Sequence, residues 1–309
     1  MSELSSPQYF AYSALPDRLD DLKQEIAQHP QISLLHTFGS VCVAQGEYRP
    51  LIFSQNDWLD VKMAKFESIQ QAAQILKSEG KIWHCEGDQY FRRSTLIQEK
   101  LISPKKTIRH WGDSPLNRSL GAWLLQDEKT LWYSSQTTSP YPAGVAEYAE
   151  TKLAPSRAYL KLWDFFNQRE QRPKPGEVCI DLGSCPGGWT WVLAENKNQV
   201  LSVDKAPLTL DLNKYPLVKK IKQDAFVMKP QDVGAVDWLF SDIICYPERL
   251  LELVHLWNDS GLVKNFVCTI KFQGPTDFVA MNNFLKISGS KIEHLSQNKH
   301  EVTWFLLRD

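Results

Sequence analysis

Two lysines and two carboxylates, Lys161, Asp242, Lys271 and Glu301, stand where a charged side chain is costly unless something compensates it. Lys271 closes the apolar run Phe266-Val267-Cys268-Thr269-Ile270, so burial disfavours its charged form. Asp242 ends the neighbouring strand-like run and Glu301 opens the last one. Lys161 lies in the helical pattern Ser156-Arg157-Ala158-Tyr159-Leu160-Lys161-Leu162. For an isolated lysine, snorkelling out of the end of a sheet is the simpler account. Two lysines and two carboxylates around one cleft suit a single task, taking a proton from an alcohol. An alcohol is a poor nucleophile until a base removes that proton during attack. A lysine of lowered pKa can be the base, and a second cation nearby both lowers the pKa and stabilises the developing alkoxide.

A second constellation is the stretch Val178-Cys179-Ile180-Asp181-Leu182-Gly183-Ser184-Cys185-Pro186-Gly187-Gly188-Trp189-Thr190. It reads as a buried strand, a glycine-rich turn and the first turn of a helix, a geometry that brings backbone against a nucleotide-like ligand. The next strand, Val200 to Asp204, ends in a carboxylate about 20 residues on, where an acidic side chain reaches a ribose diol in doubly wound folds. The dinucleotide pattern is not met, because the third glycine is absent and a proline stands inside the turn. Asp-x-Gly followed by Pro-Gly-Gly resembles instead the S-adenosylmethionine loop of class I methyltransferases. That resemblance implies a cofactor-contacting set of Asp181, Gly183, Ser184, Pro186, Gly187, Gly188, Trp189, Asp204, Asp224 and Asp242.

The elements that must position these groups follow from periodicity. From Pro155 onward strands and helices alternate: helix 156–167, strand 178–182, helix 187–195, strands 200–203, 219–222 and 238–240, helix 247–257, strand 266–271 and helix 275–286. A closing pair, 291–295 and 302–307, has no helix between its strands and must be antiparallel. This predicts an α/β fold with a mostly parallel seven-stranded sheet and an antiparallel last strand, the class I (Rossmann-like) methyltransferase architecture. Ligands then sit at the carboxyl ends of the strands. Residues 1–134 read as a small α+β domain, with strands at 9–12, 41–44, 51–53 and 82–85, helices at 16–28 and 68–78, and a hairpin over 121–134. The Ser-, Thr- and Pro-rich stretch 135–154 reads as a linker before the methyltransferase domain, 155–309.

Bulk properties narrow the class. The 309 residues, 43% apolar and 23% charged, are those of an ordinary globular protein. No apolar run approaches the roughly 18 residues that span a bilayer, and Met1–Ser6 lacks the features of a secretory signal. The six cysteines show no metal-binding spacing, so they read as reduced and structural, with a cytoplasmic location and no metal. With 35 basic and 36 acidic residues a globally basic nucleic-acid binder is excluded, though a local basic face is not. Lys105-Lys106 with Arg109 and His110, and Lys214 with Lys219, Lys220 and Lys222, are the candidate faces. The aromatics Trp58, Trp83, Trp111, Trp123 and Trp132 read as core rather than base-stacking platforms.

Strand ends decide the methyl acceptor. Ser241-Asp242-Ile243-Ile244 is not the Asp/Asn-Pro-Pro-aromatic motif of exocyclic-amine methylation. Cytosine C5 chemistry needs a nucleophilic cysteine after proline; Cys185 is in the wrong loop and Cys245 has no such proline, so both read as packing residues. The segment from about Pro155 to Asp309 resembles the FtsJ/RrmJ group of RNA ribose 2′-O-methyltransferases, whose signature is a Lys-Asp-Lys-Glu tetrad. Lys161 falls in Ser-Arg-Ala-aromatic-x-Lys-Leu, Asp242 in Ser-Asp-x, Lys271 before Phe-Gln-Gly, and Glu301 in Glu-Val. The resemblance implies Lys271 as general base, Asp242 and Lys161 tuning it, and Glu301 positioning the ribose. It also implies Asp204 on the cofactor ribose, Asp224 on the adenine amine, and Gly183, Pro186, Gly187 and Trp189 around the methionine end.

Within the group the nearest resemblance is to the RlmM branch, which modifies a cytidine of large-subunit ribosomal RNA. It is carried by Tyr133-Ser134-Ser135, Ser139-Pro140-Tyr141, Ala154-Pro155-Ser156-Arg157 and Cys-Pro-Gly-Gly-Trp-Thr. It implies ribosomal RNA as partner and a THUMP-like RNA-binding region in the N-terminal part. The alternatives are a non-catalytic RNA-binding protein with a relic cofactor pocket, and a methyltransferase acting on an RNA cap or base.

Overall fold

The computed structural model describes residues 8–308; Met1–Ser6, read above as lacking a signal, lies outside the described residues. The chain forms two compact units. One runs up to Ile108 and includes Leu116–Glu147; the other joins Arg109–Pro115 to everything from Tyr148 on.

In the first unit, β1 (Tyr9–Ser13), β2 (Ile32–Phe38), β3 (Val41–Gly46), β4 (Asn56–Leu59) and a short β10 (Gln136–Thr137) make one sheet, ordered β10-β4-β1-β3-β2. A second sheet, β5-β9-β8-β6, contains β5 (Lys62–Lys65), β6 (Trp83–Cys85), β8 (Gly121–Asp127) and β9 (Thr130–Ser134). Helices α1 (Leu19–Ala27), α2 (Ile69–Glu79) and α3 (Phe91–Gln98) belong to this unit. The short strands β7 (Ile108–Arg109) and β11 (Glu147–Tyr148) fall where the chain passes between units.

Two expectations fail here for identifiable reasons. Leu51–Phe53 is a turn, because the Ile52 and Phe53 amides donate to the buried Glu25 carboxylate at 2.8 and 3.0 Å and leave no strand ladder to join. The Ser/Thr-rich start of the expected linker is tied into the first unit. Gln136 and Thr137 pair with β4, and the Ser139 amide donates to Asn56 Oδ1 at 3.0 Å. Trp58, Trp83, Trp123 and Trp132 are buried in this unit's core, whereas Trp111 packs edge-on against Phe166 in the second unit.

The second unit is built on β12 (Val178–Leu182), β13 (Gln199–Val203), β14 (Val218–Ile221), β15 (Val236–Ser241), β16 (Val263–Lys271), β17 (Lys291–Glu293) and β18 (Glu301–Leu306). Their order is β14-β13-β12-β15-β16-β18-β17. The first five run parallel, and β18 is inserted antiparallel between β16 and β17. Strands such as Val178-Cys179-Ile180-Asp181-Leu182 are apolar on both faces, because helices cover both sides of a parallel sheet.

The helices are α4 (Tyr159–Asn167), α5 (Gly188–Glu195), α6 (Pro230–Val233), α7 (Pro247–Asp259) and α8 (Phe278–Leu285). α4 presses Trp163, Phe165 and Phe166 onto the sheet. Phe166 meets Trp238 edge-on at 5.6 Å and Phe165 meets Phe305 at 5.0 Å. Burial of each such side chain contributes about 1.5–3 kcal/mol, an upper estimate. This packing fixes α4, and therefore Lys161 on its first turn.

Candidate active site

The carboxyl ends of β12 to β16 surround a cleft of about 520 Å³. Its lining includes Asp181, Gly183, Ser184, Pro186, Gly188, Trp189, Asp204, Asp224, Asp242 and Lys271. Of the residues expected to hold a cofactor only Gly187 does not line it; with φ +116° it instead makes the sharp entry into α5. Gly183 has φ +77°, and a Cβ there would lie 2.7 Å from the Ile243 Cβ, so the turn and the β15 end fit each other only through glycine. A Cβ on Gly188 would lie 2.5 Å from Ser156 Oγ. This close approach belongs to the segment just before α4, which begins at Tyr159 rather than Ser156.

Each acidic group has its own environment. Asp181 is buried, and burial pushes its carboxyl up to about 7, against the Thr190 hydroxyl, which donates to Oδ2 at 2.6 Å. Asp204 accepts the Cys185 amide on Oδ2 at 2.9 Å and the Ala206 amide on Oδ1 at 2.8 Å, which orients its carboxylate at the rim. The Phe226 amide, and then Lys205 at 3.1 Å, hold Asp224 below the usual carboxylate range. Arg249 lies with its guanidinium carbon 3.7 Å from the centre of the Phe226 ring, beside Asp224 in the lining.

The four residues expected to do chemistry meet in one cluster. Lys161 Nζ donates to both Asp242 oxygens, at 2.9 and 3.0 Å, and pairs with Glu301 Oε1 at 2.6 Å. Lys271 Nζ sits 3.0 Å from the Asp242 Oδ1 and donates to the Asp242 carbonyl at 2.6 Å. Direct pairing of Lys271 with Glu301 across β16 and β18 brings the last carboxylate to the same sheet end. The four side chains are 11–16% exposed. Burial opposes the charge on Lys161, but Asp242 and Glu301 outweigh it and hold the amine above its ordinary value. The second cation expected beside Lys271 is therefore present, with the shared Asp242 carboxylate between the two amines.

Several other readings change. Lys220 is not part of a free basic face: it donates to the Asp204 carbonyl at 2.9 Å, and burial lowers its pKa. Arg109 is buried. Cys185 is exposed rather than packed. All six cysteines are free thiols. Sequence reasoning missed Ser156, Lys205, Phe226, Ile243, Ile244 and Arg249 in the lining. Phe226, two residues beyond Asp224, and Ile243-Ile244, directly after Asp242, were legible by adjacency alone; Arg249, on the first turn of α7, carried no signal.

A parallel sheet with one reversed strand, a glycine turn at its first strand and acidic residues at successive strand ends define a Rossmann-like methyltransferase fold. Residues 154–285 match the family model described as FtsJ-like methyltransferase. The chain is 30% identical over 190 residues to the ribosomal RNA large subunit methyltransferase M of Laribacter hongkongensis, covering 56% of this chain and 53% of that protein. It is 32% identical over 190 residues to the protein of the same name from Shewanella woodyi, with the same coverage. To that of Azotobacter vinelandii it is 36% identical over 188 residues, covering 55% of this chain and 53% of that protein. The chain spans about half the length of these curated relatives. S-adenosylmethionine is the methyl donor that goes with an FtsJ-like segment.

Proposed function

We propose that this protein is an S-adenosylmethionine-dependent RNA ribose 2′-O-methyltransferase acting on large-subunit ribosomal RNA, at a cytidine, in the cytoplasm. The observation that carries the reading is the single Asp242 carboxylate shared by Lys161 and Lys271 at the end of the cleft. The cofactor supplies an electrophilic methyl group on a sulfonium. Asp204 would hold its ribose diol, Asp224 its adenine amine, and the Gly183 to Trp189 turn its methionine end, all of which except Gly187 line the cleft.

A neutral amine has two N–H groups and one lone pair. Lys271 directs two donor contacts at Asp242, to Oδ1 and to the carbonyl, which leaves the third direction for the acceptor alcohol. In this mechanism Lys271 takes the 2′-hydroxyl proton and so leaves the oxygen nucleophilic toward the methyl group that the bound cofactor would supply, its sulfonium leaving as a neutral thioether. Lys161 neutralises Asp242 and offsets the negative charge growing on that oxygen. Glu301, paired to Lys161, orients the ribose. The first unit supplies a THUMP-like grip on RNA, and residues 155–309 carry the chemistry.

The test is incubation with labelled S-adenosylmethionine and unmodified ribosomal RNA transcribed in vitro, then nuclease digestion and mass spectrometry. A 2′-O-methyl nucleoside is expected. A methylated base, or no product despite cofactor binding, would replace this reading with one of the alternatives above.

A further inference from the structure

The cofactor cleft ends at Lys271; no residue of β18 or of the loop before it lines the cleft. The pairing of Lys271 with Glu301 across β16 and β18 makes that side the candidate approach for an acceptor. Two loops border that approach, the one after Lys271 and the one leading into Glu301. They touch through His300, whose ring lies 5.5 Å from that of Phe272 and whose Nε2 is 3.5 Å from Thr276 Oγ1.

The loop leading into Glu301 is built rather than loose. The buried Asp164 accepts from the Ser296 hydroxyl at 2.7 Å and the Gln297 amide at 3.3 Å. The buried Asn298 accepts from the Leu295 amide at 2.8 Å and the Thr303 hydroxyl at 3.2 Å. The His294 Nε2 lies 3.1 Å from the Lys299 carbonyl. Burying polar side chains is unfavourable unless they are hydrogen-bonded. The Asn298 Nδ2 finds no partner among the described residues, but the hydrogen bonds that are made hold five residues in one conformation. That conformation leaves Lys299 exposed and, among the described residues, without an ion-pair partner, directly before His300. In the state in which Lys271 acts as base, the tetrad holds one ammonium group and two carboxylates. It exerts little pull on a polyanion, so attraction at this mouth must come from its neighbours.

We propose that Lys299 and His300 hold a backbone phosphate of the RNA next to the target ribose, and so place its 2′-hydroxyl on Lys271. The idea rests on the ribose methyl transfer proposed above. Both are positioning residues: Lys299 supplies charge and His300 a hydrogen bond, on a loop already ordered before RNA arrives.

The experiment uses the full chain and unmodified ribosomal RNA transcribed in vitro, with Lys299→Ala, His300→Ala and His300→Arg. For Lys299→Ala and His300→Ala, KM for RNA rises roughly tenfold, the scale of one hydrogen bond to a charged group, while kcat and cofactor affinity hold. The log-log salt dependence of RNA binding becomes shallower by about 0.7 for Lys299→Ala, one phosphate contact on a single strand. His300→Arg retains the parent's KM. Parent-like KM and salt slope in Lys299→Ala, whose exposed side chain holds no fold together, would overturn the proposal. A parent protein that binds RNA but transfers no methyl group would instead refute the enzymatic reading, and the salt slopes would still report on the phosphate contact.

Discussion

Replacing Lys161 with methionine removes the cation between two carboxylates and keeps most of the stem that packs in α4. The Asp242 and Glu301 oxygens each lie within 3 Å of the Lys161 nitrogen, so they are less than about 6 Å apart. At that separation and an effective dielectric of about 20, two bare carboxylates repel by about 3 kcal/mol, within the range measured when one partner of a buried pair is lost. Lys161 is held above its ordinary value, so its stabilising contribution is complete at neutral pH and is lost only as pH rises through the alkaline range. Lys161→Met is therefore expected to lower the unfolding free energy at pH 7.5 by about 3 kcal/mol in urea titration. Turnover falls at least about a hundredfold because Asp242 no longer fixes Lys271. The double variant Lys161→Met/Glu301→Gln removes the repulsion and regains most of the stability, a coupling that a double-mutant cycle reads directly. An unchanged urea midpoint in Lys161→Met, or equal losses in the single and double variants, would refute the electrostatic argument.

Other consequences are simpler to check. Gly183→Ala forces a Cβ residue to φ +77° and against Ile243; isothermal titration should show cofactor affinity reduced by more than about tenfold, with stability lower by about 1–2 kcal/mol. Burial pushes the carboxyls of Asp181 and Glu25 up to about 7 and that of Asp57 up to about 6. Across that window the folded state binds more protons than the unfolded one, so stability falls as pH rises from about 4 to about 7 and then levels. Thermal midpoints taken from pH 5 to pH 8 should decline, and Asp181→Asn should flatten part of the slope; a flat parent profile would contradict the burial argument.

Much of the second unit was legible because its strands are buried on both faces and its helices are strongly patterned; β12, β15 and β16 stand out as apolar runs. The first unit was harder. β2 exposes five consecutive residues between Ile32 and Phe38, so it has no alternation to read. α3 follows a left-handed Tyr90 and buries only Ser94 and Ile97. Glu25 shows why the error at Leu51–Phe53 was unavoidable, since a carboxylate 27 residues away satisfies Ile52. The tetrad was readable residue by residue through local motifs. Its connectivity was not, because Lys161 and Asp242 are 81 residues apart and only the folded sheet sets which carboxylate each amine meets. The same holds for Arg249, on the first turn of α7, over Phe226 in the turn after Asp224, a contact that no sequence pattern announces.

The most direct test of the account is single-turnover methyl transfer by Lys271→Ala, with cofactor affinity measured on the same sample. The account predicts cofactor binding close to that of the parent and no detectable 2′-O-methyl product at neutral pH. Product formed by Lys271→Ala at the parent's rate would contradict it, because no other amine in the cluster is free of Asp242 and Glu301 together to take the proton.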